Sequence, residues 1–147
     1  MKPNDTVAID ELDQEWRELI DAATEAREKA YAPYSHFRVG AAARVASGRV
    51  YTGSNIENAA WGLTVCAERV AIWKAVSAGE RDLEALAVVT DTGATPCGPC
   101  RQVMVEFAED LPVVIADTAG QAWRTSLAEL LPHAFPRENL SGRPMLG

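Results

Sequence analysis

Apolar residues along the chain recur with two different periods. From about Asp10 to Tyr31, the positions Leu12, Trp16, Leu19, Ile20, Ala23, Arg27 and Ala30 return every three or four residues. That spacing marks one face of an amphipathic helix, with Asp10 placed to cap it and Pro33 to close it. Phe37 to Ala46 and Arg49 to Asn55 read as extended runs, and Ser47-Gly48 between them as a two-residue hairpin turn. Cys66 to Ala78 reads as a second helix, ended by Gly79. Leu83 to Thr90 is almost continuously apolar, as a strand covered on both faces must be. After the loop from Asp91 to Pro96, Pro99 suits the first position of a third helix running to about Glu109. Pro112 to Ala116 predicts a fourth strand and Gln121 to Arg124 a short fifth. Ser126 and Glu129 stand at capping-box spacing, opening a last helix before Pro132. The order α-β-β-α-β-α-β-β-α predicts an α/β fold of three layers, with helices on both faces of one mixed five-stranded sheet.

Composition narrows the function. The 147 residues, 48% hydrophobic with four Trp, suit a single folded domain with its core at about 10–140. Fourteen Lys and Arg stand against 21 Asp and Glu, for a net charge of −7. No basic cluster interrupts that acidity, so a nucleic-acid backbone lacks the cations it needs here. A neutral small molecule is the easier partner. The opening MKPNDTVAIDELDQEW has no apolar core of the kind a signal peptide needs, and no stretch approaches the roughly 20 apolar residues that span a bilayer. The expectation is a cytoplasmic protein with no membrane partner. Three cysteines cannot all pair with one another, and a reducing compartment disfavours disulfides.

Their positions therefore carry information. Cys97 and Cys100 form a C-x2-C pair, the spacing by which two thiolates grip one tetrahedral metal, and Cys66 opens the other predicted helix. Helix N-termini favour negative charge and help thiols bind as thiolates. Three ligands leave a fourth position for water, as in a catalytic zinc site. Glu68, two residues after Cys66, completes the C-x-E form of the signature of zinc nucleobase deaminases. In that signature zinc acidifies a water. Glu68, not itself a ligand, takes that water's proton, passes it to ring N3, and delivers a proton to the departing ammonia. Three thiolates and one Zn2+ sum to −1, and Arg69 is placed to offset the excess by hydrogen bonding to the thiolates.

Ala32-Pro33-Tyr34-Ser35-x-Phe37, Gly53-x-Asn55-Ile56-Glu57-Asn58-Ala59, Cys66-Ala67-Glu68-Arg69, Pro96-Cys97-Gly98-x-Cys100-Arg101-Gln102 and Glu129-Leu130-Leu131-Pro132 follow one another between Tyr31 and Leu140. In order and spacing they resemble the small, homotetrameric cytidine deaminases. The resemblance implies a cytidine deaminase-like fold and one Zn2+ per subunit. It implies hydrolytic deamination of cytidine and 2′-deoxycytidine to the uridine forms, as in pyrimidine salvage. It also implies that Asn55 and Glu57 hold the ribose, that Phe37 packs on the pyrimidine, and that the Ala67 backbone reads the amide-like edge of the base. Phe135 matches a residue that the family inserts into a neighbouring subunit's site, so the active sites of the homotetramer are shared. Trp61 stands where the family commonly has Tyr, exchanging a phenol that donates and accepts for an indole that only donates. Arg38 replaces a frequent Pro.

Plainer readings of the same residues exist. The cysteines can be small buried hydrophobes, or the zinc purely structural. Asn55 and Glu57 can simply end the hairpin, Arg69 can form a surface ion pair, and Phe37 and Phe135 can be ordinary core residues. His36 and His133 sit at no ligand spacing. Rival activities are deamination of another cytosine nucleoside such as blasticidin S, deamination of a polynucleotide, or nucleoside binding without catalysis.

Overall fold

The strands of the central sheet divide their side chains between two cores. In the computed structural model, which describes residues 6–140, Ala41, Ala43, Leu86, Val88, Val113 and Ile115 face one way. Their neighbours Ala42, Ala85, Ala87, Val89, Val114 and Ala116 face the other. This is the period of two that a strand imposes, and with both faces covered it leaves no polar alternation to read. The strands are β1 (Thr6–Ala8), β2 (Gly40–Val45), β3 (Val50–Ser54), β4 (Leu83–Thr90), β5 (Pro112–Asp117) and β6 (Gln121–Ser126). They lie in the order β1-β6-β5-β4-β2-β3, with β4 and β5 parallel and the other pairs antiparallel. Helix α1 (Gln14–Arg27) covers one face through Leu19, Ile20 and Ala23. Helices α2 (Ala67–Ser77), α3 (Gly98–Phe107) and α4 (Leu127–Leu130) cover the other. The α1 side of the sheet is mostly alanine, and the helix lies close on it.

The three-layer α/β expectation holds, and the strand count is corrected from five to six. The extra strand, β1, has three residues paired to β6 at the sheet edge, too few to show a period. Helix α1 is also shorter than its apolar repeat. Ile9–Glu11 form a 3-10 turn, Leu12 is extended, and Asp13 rather than Asp10 occupies the N-cap. At its far end Tyr31 is taken into pairing with the chain at Asn55 and Glu57, donating to one carbonyl and accepting from the other residue's N–H. The β2–β3 turn is one residue longer than predicted. Gly48, at φ +87°, donates to Val45 O, and Val45 N donates to Arg49 O, so Ala46-Ser47-Gly48 forms a three-residue loop. Gly79 and Glu80 close α2 by donating to Val76 O and Ala75 O, the double bond of a Schellman end. The capping box of Ser126 and Glu129 is present as predicted.

Residues 1–5 of the opening stretch and residues 141–147 lie outside the described part. Among the described residues, no helix is long and apolar enough to cross a membrane.

Candidate active site

Two helix N-termini converge on one face of the sheet. Cys66 is the N-cap of α2, Cys97 is the N-cap of α3, and Cys100 lies in the first turn of α3. Neither N-cap cysteine uses its side chain to cap the backbone of its helix, so both sulfurs are left to meet the other thiols and Arg69. Glycine brings α2 into place. A Cβ on Gly53 of β3 would stand 2.4 Å from Ala67 O and 2.5 Å from Ala71 N.

The Sγ atoms of Cys66 and Cys97 are 3.7 Å apart, those of Cys97 and Cys100 3.2 Å apart, and all three lie within 4.8 Å of one another. Two sulfurs on one tetrahedral zinc, at ~2.3 Å from it, stand roughly 3.8 Å apart. The cluster fits that ion, and among the described residues no fourth Cys, His, Asp or Glu joins it. The sulfurs share charge unequally. Cys66 is held down to about 5, first by the hydrogen bond from Cys100 and further by Arg69 and Cys97. Cys100 is pushed up, chiefly because it is the partner that keeps the proton toward Cys66. Arg69 Nη2 donates to Cys66 Sγ at 3.3 Å.

Glu68, 4% exposed, sits two residues into α2 from its cap. Burial, reinforced by the charge of Cys66, raises its carboxyl to about 7 against the pull of its own backbone N–H and of Arg69. It lines a cavity of about 170 Å3 together with Cys66, Cys97, Asn55 and Phe37. Ala67, fully buried, lies in the same helical turn, where backbone N–H groups have no helical partner.

Asn55 and Glu57 lie just beyond β3, and both side chains reach the segment 34–39. Asn55 Oδ1 accepts from Val39 N at 2.9 Å and its Nδ2 donates to Phe37 O at 2.8 Å. That explains why β2 begins at Gly40 and not at Phe37: a side chain takes the backbone bonds a strand would need. Asn55 keeps one N–H hydrogen to offer. Glu57 Oε1 accepts from Tyr34 N and Ser35 N at 3.0 and 3.1 Å. Its carboxyl is lowered, first by the Ser35 side chain and then by these N–H groups and His36. Glu57 lines a more open pocket of about 440 Å3 beside Trp61, a residue 83% exposed.

Phe135 is not brought to this cavity. Its ring is exposed, while its carbonyl accepts from Gln102 Nε2 at 2.8 Å. Arg38 turns toward Glu28, at 4.0 Å. His36 and His133 both adopt positive φ, 59° and 56°, and neither joins the cysteines. The cavity also includes Val39, Thr90, Ala94 and Thr95, which no motif had marked. Thr90 ends β4, and Thr90 Oγ1 accepts from Ala94 N at 2.8 Å, shaping the loop that leads to Cys97. Its one advance signal is position, since α/β sheets bind ligands at the carboxyl ends of parallel strands.

Three cysteine sulfurs beside a buried glutamate, at two helix N-termini over an α/β/α sheet, define a zinc-dependent deaminase domain. The family described as the cytidine and deoxycytidylate deaminase zinc-binding region matches residues 13–116. A cytidine deaminase of Sporosarcina psychrophila is 51% identical over 84% of this chain and 93% of its own length. A crystal structure of cytidine deaminase from Burkholderia pseudomallei superposes with a TM-score of 0.78 at 50% identity, covering 81% of this chain and 98% of that one. A blasticidin-S deaminase of Bacillus cereus is more distant, at 32% identity over 86% of this chain and 96% of its own length. The chain belongs to the cytidine deaminase family, and its domain binds zinc.

Proposed function

We propose that this protein converts cytidine and 2′-deoxycytidine to uridine and 2′-deoxyuridine, releasing ammonia, as a single-domain enzyme of pyrimidine salvage in the cytoplasm. The observation that carries the reading is the shared cavity: Glu68, buried and with its carboxyl raised to about 7, opens on the same small space as Cys66 and Cys97. Zinc on Cys66, Cys97 and Cys100 supplies a Lewis acid that acidifies water near neutral pH. Glu68 takes a proton from the attacking water and gives it to N3 as the oxygen adds to C4. It then carries a second proton to N4, and the C4–N4 bond breaks to release ammonia. A carboxyl that titrates near neutrality can do both.

Ala67 offers backbone groups to the amide-like edge of the base, and Phe37 packs on the ring. Asn55, with its remaining N–H, and Glu57 hold the ribose. Arg69 offsets the charge of the thiolates. An exposed apolar groove along α2, lined by Tyr51, Val65, Val70 and Trp73, supports assembly as a homotetramer in which Phe135 completes a neighbour's site. The net charge of −7 favours a free nucleoside over a polynucleotide.

The test joins metal analysis to an ammonia-release assay on cytidine, deoxycytidine, cytosine, blasticidin S and single-stranded DNA. The expected result is one zinc per chain and turnover of the two nucleosides. Nucleoside binding without ammonia release, or turnover confined to blasticidin S or DNA, would overturn the reading.

A further inference from the structure

Arg101 and Gln102 directly follow Cys100, and the reaction as derived uses neither. Each guanidinium nitrogen of Arg101 nevertheless has a different acceptor. Nε donates to Pro96 O at 2.8 Å, Nη1 to Leu130 O at 2.5 Å, and Nη2 to Thr95 Oγ1 at 3.2 Å. Pro96 is fully buried and immediately precedes Cys97, and Thr95 lines the cavity. Leu130 ends the four-residue helix α4, where the last carbonyls have no partner within the helix. Five residues further on, Gln102 Nε2 holds Phe135 O.

A guanidinium is flat and stiff, so three bonds in one plane fix the acceptors relative to one another as well as to α3. An ammonium on a flexible stem cannot span the same three points. We propose that Arg101 is a positioning residue that ties the Cys97–Cys100 metal loop to the C-terminal segment, slowing the loss of zinc and holding Phe135 where an assembled site needs it. The clause on Phe135 rests on the proposed function; the clause on zinc retention does not.

The experiment follows zinc release from the purified holoenzyme to a colorimetric chelator, with circular dichroism confirming the fold at the assay temperature. Steady-state kinetics on cytidine accompany it. Arg101→Ala and Arg101→Lys are both expected to release zinc roughly tenfold faster or more, in the range typical for groups that orient metal ligands. Both are expected to raise KM more than they lower kcat. Gln102→Ala, which cuts only the tie to Phe135, is expected to raise KM and leave the release rate alone. Release from Arg101→Ala at the parent rate overturns the proposal. So does full recovery by Arg101→Lys, which would mean that charge suffices. Should Arg101→Ala fail to fold, zinc release from Arg101→Lys decides alone, and release at the parent rate overturns the proposal. Should the parent protein release no ammonia, the function fails while the zinc measurement still reads the tie.

Discussion

Arg69 Nη2 lies 3.3 Å from Cys66 Sγ, one helical turn after the cysteine that caps α2. The same guanidinium is 5.8 Å from the ring of Trp73, and its buried Nε has no partner. This is a cation held against a thiolate by packing as well as by charge. Arg69→Ala should weaken zinc binding by about 10- to 100-fold, the usual cost of losing a group that supports a metal ligand. Competition with a calibrated chelator measures it, and an unchanged affinity would return Arg69 to an ordinary helix-surface role.

Glu68→Gln keeps the shape of the side chain and removes its ability to take up and return a proton. Zinc content should stay at the parent level while turnover falls on the order of 10²- to 10⁴-fold, the span attributed to a positioned acid–base group. Metal analysis beside ammonia release separates the two effects. Comparable turnover in the variant would sink the assignment.

Gly53→Ala tests how α2 is seated. The added methyl would fall 2.4 Å from Ala67 O, a backbone atom that can move only if the N-terminal turn of α2 moves with it. A loss of about 1–3 kcal/mol in chemical denaturation is expected, together with weaker zinc binding. Gly62→Ala is the control, since a methyl there meets nothing within 4 Å.

Asn55 and Glu57 should respond differently although they sit two residues apart. Asn55→Asp can still accept from Val39 N but cannot donate to Phe37 O, leaving a carbonyl facing a carboxylate in a part-buried place. A destabilisation of about 1–3 kcal/mol should follow, with a rise in KM. Glu57→Ala frees the Tyr34 and Ser35 N–H groups where water can reach them. Its KM for cytidine should therefore rise with little change in melting temperature.

Much of this was legible in the order of residues. The Ser126–Glu129 box, the closure of α2 at Gly79 and the unbroken apolar run of β4 all depend on neighbours a few positions away. So does the C-x2-C grip of Cys97 and Cys100. Such features follow from backbone geometry and capping chemistry, which a short window of sequence contains. What failed was equally local in origin. The apolar repeat ran past both ends of α1 because periodicity is blind to a 3-10 turn before it and to pairing of Tyr31 after it.

The sequence thus named Cys66, Cys97 and Cys100 as the metal-binding cluster of this cytidine deaminase family member, with Glu68 as its proposed proton carrier. Only the tertiary structure decided that Cys66 meets Cys97 at 3.7 Å, that Thr90 and Thr95 line the cavity, and that β1 pairs with β6 at Trp123. It alone showed Arg101 reaching both Pro96 and Leu130. Local propensities act through the nearest few residues. Meetings between distant segments are selected by burial of the whole chain, and no stretch of sequence taken alone contains both partners.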